Sequence, residues 1–259
     1  MERDGQGRRS ATEIAGRLRA AGCISADEEA GELLAAAADD ATLDAWIRRR
    51  EHGEPLAWIT GTTRFCDLSL HVDPGVYVPR LQSEELARRA AAILIDGGTA
   101  AADLCTGAGA VAVHLMAEAP AATVVGVDLD PRAAACARRN GVHAIVGDLD
   151  GPLRPHVFDV VTAVAPYVPT DELRLLPADV RRYESTLALD GGEDGLDVVH
   201  RVVAAGARLL RGGGWLLLEI GGDQDRALTP TLHADGFSSI DPWFDEDGDL
   251  RGVAAQANG

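Results

Sequence analysis

The chain of 259 residues contains no lysine, and all 24 of its basic residues are arginine. That excludes a phosphate-binding loop closed by lysine and any chemistry through a lysine Schiff base. Positive charge is scarce overall, because 41 acidic residues leave a formal net charge of -17. Binding to a nucleic-acid backbone draws on counterion release by a basic footprint, so nucleic acid is not an expected partner. Cysteine is sparse too. Cys23, Cys66, Cys105 and Cys136 lie far apart with no CxxC or Cys/His motif, which predicts no metal site, no disulfide framework and reduced thiols. No run of about 18 apolar residues occurs, and the opening residues MERDGQGRRS lack the apolar segment of a secretory signal. The expected setting is cytoplasmic, away from membranes.

What is present falls into three parts. Residues 11 to 52 place leucine, isoleucine and alanine at three- and four-residue spacing, with starts at Ser25-Ala-Asp and Asp40-Ala-Thr, which predicts a small helical domain over 1–61. After Gly53-Glu-Pro, the stretch from Pro55 to Arg80 alternates apolar and polar residues between glycines and prolines, predicting a hairpin linker centred on 62–82. From Ser83 onward helices and strands alternate: strands at 101–104, 123–127, 144–146 and 158–164, helices at 85–95 after a Ser83-Glu84 start, 110–118, 131–140 and 197–210, a Gly-Gly-Gly stop at 212–214 and the strand WLLLEI. That order predicts an α/β domain over 83–259, a parallel sheet covered on both faces.

DLCTGAG at 103–109 follows the first strand of this domain and opens a helix, where backbone amides grip a nucleotide-like ligand. Gly107-x-Gly109-x-x-Ala112 also fits the dinucleotide fingerprint, so an NAD-linked oxidoreductase is a rival reading. Charge separates the two. Asp103, Asp128 and Asp148 stand at successive strand ends, and Asp130 before Pro131 is a natural helix cap. Such a set repels a pyrophosphate and attracts a ligand bearing an ammonium and a sulfonium, namely S-adenosylmethionine. On that reading Asp103 meets the methionine ammonium and the backbone of Thr106 and Gly107 approaches the ligand. Asp128, about twenty residues beyond Gly107, accepts from the ribose hydroxyls, and Asp148 faces the adenine amino group.

Residues 158–169, FDVVTAVAPYVP, run a buried strand into proline and tyrosine at the sheet edge where ligands sit. Together with GEPLAWITG at 53–61, VDPGVYVPR at 72–80 followed by Ser83-Glu84, VDLDP at 127–131, GDL at 147–149, YES at 183–185, LALDGGEDGLD at 187–197 and GGGWLLLEIG at 212–221, the chain resembles the HemK/PrmC family. Those methyltransferases modify the glutamine of a GGQ motif in peptide chain release factors. The resemblance implies a helical N-terminal domain that recruits the protein substrate, a hairpin linker and a Rossmann-like class I methyltransferase domain. It extends the cofactor-contacting set to Cys105, Gly109, Leu129 and Leu149.

It also places the catalytic motif at Val164, Ala165, Pro166 and Tyr167, where the family has Asn-Pro-Pro-Tyr. There the asparagine side chain and the next backbone carbonyl accept hydrogen bonds from the glutamine amide, and the tyrosine packs beside the substrate. Valine offers no acceptor. Cys105 replaces the loop's first glycine, and Ser185-Thr186 replace the usual Pro-Arg. Four readings follow: a protein glutamine methyltransferase working through Ala165, Tyr167 and a further acceptor; a related enzyme redirected to a small cationic metabolite; a cofactor-binding module without transfer; and the NAD enzyme. Glu219 is expected to make a backbone hydrogen bond, and Trp58 and Phe65 to pack the linker.

Overall fold

A computed structural model describes residues 9–259; residues 1–8, read above as carrying no secretory signal, lie outside it. Helices α1 (Ala11–Ala20), α2 (Ala26–Ala36) and α3 (Asp40–Glu51) bury their apolar stripes on one another around Ile14, Leu18, Leu33, Leu43 and Ile47. Ser10 caps α1 through Glu13 N–H, and Asp39, one residue before the expected start, caps α3 through Thr42 N–H at 2.7 Å. Arg50 within this packing is held by both oxygens of Glu29, at 2.6 and 3.0 Å.

The hairpin begins later than its alternation suggests. Leu56–Thr60 coil into α4, with Ala57, Trp58 and Ile59 all buried. In a hairpin with one face open to solvent, three consecutive side chains could not all be buried, whereas a helical turn wedged between neighbours buries them. Pro55 costs nothing ahead of the first turn, and Gly61 at φ +79° ends it. The antiparallel pair is then β1 (Thr62–Phe65) with β2 (Leu68–His71). Trp58 donates to the Val76 carbonyl at 2.9 Å and meets the Tyr183 ring edge-on, while Phe65 is fully buried, so both pack as expected.

The remaining elements are α5 (Glu84–Ile95), β3 (Ala100–Leu104), α6 (Ala110–Glu118), β4 (Thr123–Asp128), α7 (Pro131–Arg139), β5 (His143–Val146), β6 (Phe158–Ala163), α8 (Ala178–Tyr183), α9 (Asp197–Leu209), β7 (Leu210–Glu219), α10 (Gln224–Ala234), β8 (Phe237–Phe244) and β9 (Leu250–Ala257). They build a seven-stranded sheet in the order β5-β4-β3-β6-β7-β9-β8. The first five strands are parallel, and β6 is buried at every position because helices cover both faces. β9 runs antiparallel between β7 and β8. Dinucleotide-binding sheets continue in parallel on this side, so the topology departs from the NAD reading and matches a class I methyltransferase fold. The order reverses between β3 and β6, which opens a crevice at their carboxyl ends.

The glycines at 212–214 do not stop α9, which has already ended at Leu209. They lie inside β7, where its register against β6 shifts between Phe158 and Val160. A Cβ on Gly214 would stand 3.0 Å from the Asp159 carbonyl oxygen, so the bare backbone lets the two strands close up.

Candidate active site

A cleft of about 190 Å³ opens at the carboxyl ends of β3, β4, β5 and β6. Asp103, Cys105, Thr106, Gly107, Asp128, Leu129, Asp148 and Leu149 all border it, as do Val164 and Pro166 of the motif after β6. Thr106 and Thr162 donate to the two oxygens of Asp103 at 2.6 and 2.8 Å. Burial drives the Asp103 pKa up to about 6 against the pull of those hydroxyls. Asp128 accepts from Gly107 N–H and Asp130 N–H, each at 2.8 Å; burial raises its pKa, and the two amides oppose the rise. Each carboxylate oxygen retains a lone pair, so both residues can still accept from a ligand. Asp130 caps α7 through Arg132 N–H.

The glycine loop is divided in its work. Gly107 has φ +57°, and the position of its missing Cβ faces open space, which leaves a shelf for a ligand. Gly109 does not border the cleft: a Cβ there would stand 2.8 Å from Val142 and 3.1 Å from Ala137, so this glycine seats the loop on α7. Cys105 holds the left-handed conformation at φ +55°, a strain of about 1 kcal/mol for a residue with a Cβ. Asp148 is committed rather than free, because Arg201 on α9 donates to its two oxygens at 2.8 and 2.7 Å. An arginine therefore reaches the crevice from α9.

Val164 also borders a second cavity of about 620 Å³, shared with Ala165 and Tyr167 and walled on its far side by residues 21–25 of the helical region and by 176–180. The turn carrying Tyr167 is clamped by the LALDGGEDGLD segment. Val168 N–H donates to the Leu189 carbonyl, Gly191 N–H to the Val168 carbonyl, and Gln224 Nε2 to the Tyr167 carbonyl at 3.0 Å. The Tyr167 hydroxyl donates to Glu219 Oε1 at 3.0 Å. Glu219 thus bonds a side chain rather than backbone, since its place at the end of β7 puts it beside the ring that follows β6. Its Oε2 has no hydrogen-bond partner among the described residues. Burial raises its pKa, opposed by the neighbouring Ser83 and Tyr167 hydroxyls. Across the same cavity Arg80 pairs with the buried Glu184 and lies 4.9 Å over the Tyr77 ring. Ser185 reaches the rim of the cofactor-side cleft.

Folding also gathers His71, Asp73 and Cys136 within 4.8 Å of one another, which no local spacing announced. Arg139 donates to both Asp73 and His71, so the cluster carries its own cation and latches the hairpin to α7.

Comparison with known proteins decides the family. A methyltransferase domain model matches residues 101–183. The release factor glutamine methyltransferase of Geobacter sulfurreducens is 39% identical over 201 residues, covering 74% of this chain and 69% of that one. The chain belongs to the release factor glutamine methyltransferase family. The Pseudomonas aeruginosa member is 37% identical over 215 residues, covering 80% of this chain and 78% of its own. Among solved structures, the E. cuniculi Mtq2–Trm112 complex, described as responsible for methylation of the eRF1 translation termination factor, matches with TM-score 0.53 and 22% identity over 71% of this chain and 99% of that one. That likeness speaks for the fold alone. As a member of this family the chain is a methyltransferase, and the NAD reading falls.

The residues fit the S-adenosylmethionine that such a fold implies. Buried Asp103 and half-buried Asp128, both with spare acceptor capacity, suit an ammonium and ribose hydroxyls, and the open shelf at Gly107 suits close backbone approach. Among the described residues, none of the helices is long and apolar enough to cross a membrane.

Proposed function

We propose that the chain transfers a methyl group from S-adenosylmethionine to the amide nitrogen of a glutamine in the GGQ loop of a release factor, with residues 1–61 recruiting the protein substrate, 62–82 as linker and 83–259 catalytic. The observation that supports this is the position of Val164, which borders both the cofactor-side cleft and the larger groove. A donor in one and an acceptor in the other meet across the end of β6. The groove, about 620 Å³, is lined by residues of the helical region and of the catalytic domain.

Bound there, the sulfonium supplies an electrophilic methyl group. Asp103 and Asp128 hold the donor by its ammonium and ribose, and Thr106 and Thr162 fix the Asp103 carboxylate. An amide nitrogen is a weak nucleophile because its lone pair is delocalised into the carbonyl. The Ala165 carbonyl accepts one of its hydrogens and the Tyr167 ring forms a wall, which orients the lone pair without a strong base.

Redirection to a small cationic metabolite gains little from the groove itself. Its carboxylates Glu29 and Asp179 face Arg50, at 2.6 and 3.9 Å, and Glu184 is paired with Arg80, so the overall acidity is not concentrated there. Mass spectrometry of the purified protein with labelled S-adenosylmethionine, against release factors and a metabolite extract, tests the assignment. Label on a glutamine of the release factor is the expected result; label only on a small molecule overturns it.

A further inference from the structure

Val164 leaves the amide with one oriented acceptor where two are needed, and the groove offers few replacements. Both oxygens of Glu29 are taken by Arg50, and Asp179 accepts from Val180 N–H and faces Arg50. Arg50 and Arg80 only donate. Tyr77 is half-buried beneath Arg80, whose guanidinium lies 4.9 Å over its ring. Ser25 belongs to the opposite wall, in the turn before α2. That leaves Gln82, an exposed residue in the short helical turn Leu81–Ser83, bordering both the groove and a smaller cavity beyond Tyr167.

Gln82 lines the groove beside Tyr167, whose hydroxyl donates its only proton to Glu219, so towards a neighbouring carboxamide that hydroxyl can only accept. A carboxamide turned with its NH2 group to Tyr167 keeps its oxygen free for a ligand. This oxygen is neutral, polar and of the same kind as an asparagine side-chain oxygen. A carboxylate in its place would have to be desolvated at greater cost.

We propose that Gln82 supplies the second acceptor of the acceptor amide, standing in for the side chain that Val164 lacks. The inference rests on the amide-acceptor reading above. One amide N–H points to the Ala165 carbonyl and the other to Gln82 Oε1. The nitrogen then forms its bond to the methyl carbon as the carbon–sulfur bond breaks, the electron pair returning to sulfur and one N–H proton leaving to solvent.

The test compares wild type, Gln82→Ala, Val164→Asn and the double variant. It reads single-turnover transfer of labelled methyl to a GGQ-containing release factor, and S-adenosylmethionine affinity by calorimetry. Gln82→Ala is expected to slow transfer about 10²-fold, the loss seen when one oriented group is removed from such a site, with cofactor affinity unchanged. The double variant is expected to recover most of the rate. Transfer by Gln82→Ala within twofold of wild type sinks this proposal alone, as does a cofactor-loaded double variant no faster than Gln82→Ala. A wild-type chain that leaves the release factor unlabelled sinks the acceptor assignment, and this proposal with it.

Discussion

The Tyr167 hydroxyl donates to Glu219 Oε1 across 3.0 Å, tying the turn after β6 to the last residue of β7. Glu219 is buried and Tyr167 half-buried, and the second Glu219 oxygen is unpartnered among the described residues. Tyr167→Phe removes that donor and is expected to cost about 1–3 kcal/mol, a fall of several degrees in Tm. Burial holds the Glu219 pKa above its unfolded value. Its contribution is therefore fully present below the unfolded pKa and is lost as pH rises through the folded one. Glu219→Gln keeps an acceptor for Tyr167 and removes that loss. Thermal melts across the acidic to neutral range should show a shallower decline with rising pH in the variant, and an unchanged decline contradicts the assignment.

Asp103 links pH to the cofactor. Burial places its pKa at about 6, and a cationic ligand favours the ionised form. Affinity for S-adenosylmethionine should therefore climb as pH rises towards about 6, by at most roughly tenfold per unit, and level off above it. Calorimetric titrations at a series of pH values check this. Asp103→Asn should bind more weakly and lose the slope; a variant with the wild-type slope assigns the titration to another group.

Asp128 has a simpler test. It holds Gly107 N–H and Asp130 N–H while facing the cleft, so Asp128→Ala loosens the loop and removes an acceptor for the ribose. A loss of about 1–3 kcal/mol in binding, roughly 5- to 150-fold in Kd, is expected from calorimetry.

Val164→Asn should raise transfer to a glutamine acceptor, because it adds a side-chain acceptor at the point where cleft and groove meet. If Gln82 already fills that role, the gain is small in the wild-type background and large in Gln82→Ala. Equal gains in both backgrounds would mean the two side chains act independently.

The strand-end carboxylates were legible in the sequence because parallel strands present their carboxyl ends together, so Asp103, Asp128 and Asp148 follow from order alone. The turn at Leu56–Thr60 was not, since its short apolar run satisfies strand and helix alike until burial on every side decides. Arg201 meets Asp148, and Tyr167 meets Glu219, only through packing of elements more than fifty residues apart. Gln82 carried no motif of its own, and its place emerges only once Val164 and Tyr167 share a groove with it.

Gly195 offers the sharpest separation of acceptor turn from cofactor cleft. It sits at φ +76° in the LALDGGEDGLD segment, and a Cβ there would lie 2.2 Å from the Tyr167 carbonyl oxygen and 2.6 Å from Gln224 Nε2. Neither neighbour can yield cheaply, because the Gln224 bond to that carbonyl is what seats the turn. Gly195→Ala must therefore push Tyr167 outward, away from the position that walls the groove. Methyl transfer should fall by at least tenfold, since displacement of about 1 Å can cost as much as 10²-fold. Affinity for S-adenosylmethionine should stay within twofold, because Gly195 and Tyr167 do not border the cofactor-side cleft. Transfer assays paired with calorimetry measure both, and an equal loss in the two would show that turn and cleft are not separable.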